Sequence, residues 1–268
     1  MTNPRMPQGH WIDPNTAQHT DGQGVIARAA KAPAVLLGEQ HDRADHHLWQ
    51  LEVSRQIFAQ RVDIVMGFEM FPARLDSVLA EWSAGRLDEP AFLEQAEWGT
   101  VWGFDAALYL PLFQFCKDHN IPMIGLNCRR GLVREVGAQG WDAIPSQDRE
   151  GLTEARAATP AYRKYLFEIT GGLREGRAAQ SPSDPAFDRF VRAQQTWDRA
   201  FACRIAAVAQ RPDPPLVIGI IGRGHLEYYH GTPFQLDDLG VSGSVVLLPT
   251  DGGRPVEEQI ADALYCLD

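Results

Sequence analysis

The stretch Ala34-Val-Leu-Leu-Gly-Glu-Gln-His-Asp42 decides how this chain is read, because an apolar run stops there in a cluster of polar groups. Val35, Leu36 and Leu37 have the composition of a buried strand bounded by Pro33 and Gly38. Asp42 stands where it can cap a helix that carries Asp45 in its first turn and then His46, His47, Trp49 and Gln50. Strand, polar loop and helix make half of a βαβ unit. At the carboxyl ends of strands in an open parallel sheet, side chains leave the packed interior above a rigid backbone, and ligands bind there. Glu39 and His41 hold that place. Two residues apart in an extended chain, they point to the same side.

The pattern repeats outward from this stretch. Ile64-Val-Met-Gly-Phe68 delivers Glu69, and Pro122-Met-Ile-Gly-Leu126 delivers Asn127 with Arg129 and Arg130 behind it. Leu216-Val-Ile-Gly-Ile-Ile221 is apolar on both faces, as a central parallel strand must be, and opens into Gly222-Arg-Gly-His225. A last strand, Ser244-Val-Val-Leu-Leu248, and a short helix from about Pro255 to Leu264 close the chain. Helical periodicity runs from Arg74 to Ser83 and again from about Pro185 to Gln210, where Phe187, Phe190, Val191, Trp197, Phe201, Ile205 and Val208 trace one stripe. Gln194 interrupts that stripe, so its amide must find polar backbone or face a site. Trp98, Trp102, Phe104 and Tyr109 read as core packing.

The expected fold is therefore α/β, a mostly parallel central sheet flanked by helices. Residues 1–24, polar and rich in Pro, Gly and Asn, read as a surface arm. Residues 25–140 and 186–268 form the α/β core. Residues 141–185 lose the βα rhythm and read as a helical insertion able to serve as a lid.

Composition narrows the function. At 268 residues and 44% hydrophobic, the chain can bury a large core, and its net charge of −10 has the wrong sign for nucleic acid or anionic lipid. Its four cysteines show no C-x-x-C pair, zinc-finger spacing or haem-attachment motif, and read as reduced thiols. No run of eighteen apolar residues predicts a membrane span. The opening residues hold neither a signal-peptide h-region nor a lipobox, so a cytoplasmic location is expected.

Strand ends thus present Glu39 with His41, Glu69, Asn127 and His225 on one side of the sheet. Mixed imidazole and carboxylate donors suit a divalent transition metal (iron, zinc or manganese) better than calcium or magnesium. Glu39, His41, Glu69 and His225 are the candidate metal ligands, and Glu39 or Glu69 is the candidate catalytic base toward a metal-bound water. His46, His47, Asn127, Gln194 and Arg223 are candidates to support that set from behind. Tyr228, Tyr229 and His230 follow His225 closely and can line a pocket for a small-molecule ligand.

Gly38-Glu-Gln-His-Asp42 with His46, His47 and Gln50, Gly67-Phe-Glu-Met-Phe71, Asn127, Gln194 to Asp198, and Gly222-Arg-Gly-His225 together resemble the ChaN-like family of haem-binding uptake proteins, over roughly residues 34–235. That family belongs with Tiki, TraB and erythromycin-esterase-like proteins. The resemblance implies haem as ligand, held by tyrosine at a homodimer interface, with Tyr228, Tyr229 and His230, or Tyr162 and Tyr165 of the insertion, as candidates. Without C-x-x-C-H, haem would bind non-covalently. The Tiki branch implies the alternative, a metal-dependent hydrolase.

Overall fold

The computed structural model of the chain describes residues 8–173, 176, 178–252 and 256–267. In chain order its elements are β1 (Gly9–Asp13), β2 (Gln18–His19), α1 (Gly22–Ala29), β3 (Ala34–Glu39), α2 (Ala44–Gln60), β4 (Ile64–Pro72), α3 (Asp76–Ser83), α4 (Glu89–Gln95), α5 (Trp98–Val101), α6 (Leu110–Asp118), β5 (Met123–Asn127), α7 (Arg130–Gln139), α8 (Pro160–Ile169), α9 (Asp188–Ala209), β6 (Leu216–Gly222), α10 (Thr232–Asp238), β7 (Val245–Asp251) and β8 (Ala263–Leu267), joined by short 3-10 turns.

The strands form one sheet in the order β2-β1-β8-β7-β3-β6-β4-β5. All neighbours from β8 to β5 are parallel, and β1 lies antiparallel to both β2 and β8. The mostly parallel α/β architecture expected from the sequence is the one observed.

Alternation along the central strands feeds two cores. Val35 and Leu37 join Met66, Phe68, Ile218 and Ile220 beneath α1, α2, α3, α4 and α6, whereas Ala34 and Leu36 join Val65, Val217 and Ile221 beneath α7, α9 and α10. Every residue of β3, β4 and β6 is buried. Burial of each large aliphatic side chain is worth roughly 1.5–3 kcal/mol, so a charge midway along these strands would be prohibitive. Polar groups therefore emerge where the strands stop. Glu39 stands opposite Gly222 in the parallel register, and the β4–β5 register shifts between Phe68 and Pro72, around Glu69. An irregularity of this kind re-aims a side chain from a strand that is otherwise core.

The ends of the chain depart from expectation. Of the expected arm, residues 1–7 lie outside the described residues, but β1 extends the sheet and buries Trp11 and Ile12. In place of the expected final helix, residues 256–262 form turns and bends and Ala263–Leu267 is the strand β8; Pro255 lies outside the described residues. Both strands are short and pair with distant residues, Gly9 with Leu267 for example, so local pattern carries little of their signal. Asp42 does not cap α2; Arg43 holds the cap position, and Asp45 instead accepts from the His46 backbone N–H. Within residues 141–185, α8 buries Tyr162, Leu166 and Phe167 against Phe187 and Val191 at the start of α9.

Candidate functional site

At the carboxyl end of the sheet the Glu39 carboxylate meets His41 Nδ1 at 2.6 Å. Across the strand ends, His225 Nδ1 meets Asp198 Oδ1 at 2.8 Å, and its other ring nitrogen lies 3.8 Å from Glu69 Oε1. Two carboxylate–imidazole dyads therefore flank Glu69, whose own Oε2 accepts from the Gly222 backbone N–H. Gly222 is needed for space. A Cβ there would lie 2.8 Å from His41 Cε1 and 3.3 Å from Glu69 Oε2, so any side chain would push the imidazole and the carboxylate away. Asn127 donates from Nδ2 to the Glu69 carbonyl at 3.0 Å and fixes the bulge from which that carboxylate projects.

Asp198 is the residue the sequence reading left without a role. It is fully buried in α9, and its carboxylate takes the Tyr162 hydroxyl at 2.6 Å as well as His225. The signal was an acid four residues after Gln194 inside an apolar stripe, where a carboxylate persists only if partnered. Gly231 makes room for it, since a Cβ at that position would lie 2.6 Å from Asp198 Oδ1 and 2.5 Å from the His225 carbonyl.

These partners set the protonation of both rings. Burial alone would lower the pKa of His41, but the hydrogen bond to Glu39 and the fields of Glu69, Glu39 and Asp42 outweigh it and hold the ring raised to about 9. His225 is shifted the same way: burial opposes, and Asp198 and Glu69 prevail. His46 is the opposite case. Its Nδ1 accepts from the Gln40 backbone N–H at 3.1 Å, and desolvation pushes its pKa down to about 4, so it is a neutral core residue. His47 lies with Nε2 3.2 Å from the His41 carbonyl and Nδ1 3.1 Å from Gln50, whose amide donates to the Leu37 carbonyl; the pair ties α2 to the end of β3. Arg223 donates to Glu227 and to the Pro249 carbonyl, which anchors the Gly222-Arg-Gly-His225 turn.

Above the dyads opens a cavity of about 810 Å³. His41, Glu69, Asn127 and His225 line it together with Gln194, while Trp102, Phe104, Val133, Phe190 and Trp197 supply apolar walls and Arg130, Arg134 and Arg189 also border it. Trp102 and Phe104, read from the sequence as core, stand over His41 with ring centroids 4.9 and 5.1 Å away.

The structure thus brings together Glu39, His41, Glu69, Asn127, Gln194 and His225. It does so as hydrogen-bonded dyads, and among the described residues no three His, Cys, Asp or Glu side chains are grouped to hold a metal ion. Tyr228, Tyr229 and His230 do not line this cavity. Tyr228 borders a separate hollow with Tyr165 and Arg223, and each tyrosine of this region faces a carboxylate: Tyr162 Asp198, Tyr165 Glu227, Tyr228 Glu257 and Tyr229 Asp262. Burial first, then these acids, hold all four phenols well above their usual pKa. His230 packs at tilted and edge-on angles among the rings of Tyr162, Tyr165 and Tyr228.

A family model described as haem-binding uptake, Tiki superfamily, ChaN, matches residues 25–236. Among solved structures, ChaN of Campylobacter jejuni, described as binding haem cofacially, superposes with a TM-score of 0.71 at 19% identity, covering 96% of both chains. The type III effector HopBA1 superposes with a TM-score of 0.51 at 14% identity over 98% of each chain. The chloroplastic protein RETICULATA-RELATED 5 of Arabidopsis thaliana is 22% identical over 221 residues, 78% of this chain, which spans 29% of that relative's length. Among the described residues no helix is long and apolar enough to cross a membrane.

Proposed function

The chain belongs to the haem-binding uptake family of the Tiki superfamily, that of ChaN, and from that premise we propose that it binds haem in the cavity at the carboxyl ends of its parallel strands. The observation that carries this is the cavity itself: about 810 Å³, walled by Trp102, Phe104, Val133, Phe190 and Trp197, with two imidazoles on its floor. A planar, largely apolar macrocycle asks for such walls, and non-covalent haem asks in addition for a nitrogen, oxygen or sulfur donor. The donor set fits once a proton leaves: Nδ1 of His41 and of His225 is taken by a carboxylate, Nε2 is the donor each ring has left, and the proton that Nε2 of His41 holds at neutral pH is given up on binding iron. Haem would supply an iron centre between aromatic walls, and the chain's own part is to hold the macrocycle, exclude water and set the protonation of the two rings.

Titration of the purified protein with haemin is expected to give a saturable Soret change. Trp102→Ala and Phe190→Ala should each weaken it by about 3- to 10-fold, the worth of one aromatic contact, whereas Tyr228→Phe should leave it unchanged. Absence of saturation, or dependence on Tyr228 with none on Trp102, would contradict this reading.

The dyads favour a second reading, turnover of a bound ester or amide by proton transfer. In it His41, held protonated to about pH 9, would protonate the departing oxygen or nitrogen, and Glu69 beside it would take the proton of the water that attacks the carbonyl carbon. Hydrolysis of an ester panel that is lost in His41→Gln and Asp198→Asn, and that tracks no bound metal, would support it; an inert wild-type protein sinks it.

A further inference from the structure

The cavity differs in charge between its buried floor and its exposed border. Its floor sets three carboxylates, Glu39, Glu69 and Asp198, against two imidazoles. The exposed border carries Arg130 and Arg134, one helical turn apart on α7, and Arg189 from α9. Gly137 brings the two helices close: a Cβ there would lie 3.1 Å from the Arg189 carbonyl, and Arg192 donates to the Gly137 carbonyl from two nitrogens.

These arginines differ from most of the others. Arg43, Arg74, Arg86, Arg129, Arg199 and Arg204 each meet a carboxylate. Arg130 instead donates to the Val101 carbonyl at 2.8 Å, which braces the segment carrying Trp102, and among the described residues Arg134 and Arg189 meet no carboxylate at all. In a chain of net charge −10, three guanidinium groups without a carboxylate partner around one opening make a locally cationic border.

We propose that this polarised cavity admits its ligand in one orientation, with the ligand's carboxylates on Arg130, Arg134 and Arg189 and its uncharged or cationic part against the acidic floor. The proposal rests on the haem reading for the ligand's identity, since haem is a flat apolar body with two carboxylates on one edge, but the charge asymmetry stands independently of it. Carboxylates presented to the floor would meet Glu69 beside two imidazoles already engaged by Glu39 and Asp198.

The test compares haemin with haemin dimethyl ester, and adds 8-anilinonaphthalene-1-sulfonate as an iron-free aromatic anion. Wild-type protein should bind haemin more tightly than its ester. Arg134→Gln with Arg189→Gln should weaken haemin and the sulfonate, on the order of 10-fold for each charge-assisted contact, leave the ester unchanged, and melt with the wild type because both side chains are exposed. Equal binding of acid and ester, or haemin and sulfonate affinities unaffected by the arginine changes, would overturn the proposal. Should the sulfonate bind with arginine dependence while haemin does not bind, the haem reading fails and the oriented anion site stands. Should neither anion bind, both fail.

Discussion

Asp198 shows how much one buried side chain can decide. With Nδ1 of His225 and the Tyr162 hydroxyl both on its carboxylate, it fixes the ring that faces Glu69. Asp198→Asn removes the charge and keeps the shape, so the pKa of His225, followed by NMR, should fall below its wild-type value; an unchanged titration would mean that Asp198 does not govern the ring. Gly231→Ala should disturb the same contact sterically and cost about 1–3 kcal/mol in denaturant unfolding, the usual range for overpacking. Glu39, His41, Glu69 and His225 were legible because each follows an apolar strand immediately. Asp198 was not, because a helix delivers it and only the packing of α9 on β6 brings it to the strand ends. Tyr228 and Tyr229 stand near His225 in sequence, yet the backbone turns through positive φ at both, 55° and 60°, and carries Tyr228 to a different hollow and Tyr229 to Asp262.

Among the elements, the central βα units were legible and the flanking strands were not. β3, β4, β5 and β6 are continuous apolar runs, and such runs need no partner to be recognised. β1 looks like loop sequence, because Gly9 and the flanking Pro7 and Pro14 outweigh three residues of pattern. Only in the fold does Trp11 reach Trp49 and Tyr265, with ring centroids 6.2 and 5.2 Å away. Trp11→Ala is accordingly expected to destabilise the protein by about 3 kcal/mol or more, as buried aromatic truncations do. A loss below about 0.5 kcal/mol would return residues 9–13 to the status of a surface arm. The cavity itself lay beyond reach of the sequence for a related reason: its walls come from the segment after α5, from α7 and from α9, and no local pattern says that these three meet.

At the scale of the whole molecule, two histidines bend the pH dependence of stability in opposite directions. The folded pKa of His46 is depressed to about 4, so the unfolded chain takes up a proton first as pH falls below about 6.5 and stability declines toward pH 4. His41, raised to about 9, adds stability that is complete below about 6.5 and is lost as pH climbs toward 9, in a part reduced by the exposure of its ring. Denaturant melts across this range should show His46→Asn flattening the acid limb by roughly 3 kcal/mol and His41→Gln flattening the alkaline one. Identical profiles for the variants and the wild type would refute both assignments. The overall plan, a cationic border and aromatic walls over an acidic, imidazole-bearing floor, needs every layer of the fold to be in place. The measurement that tests it most directly is a crystal structure of the haemin-loaded protein with iron located by its anomalous scattering. The account predicts iron inside the cavity bordered by His41, Glu69, Trp102 and His225, and iron found instead against Tyr165 or Tyr228 would contradict it.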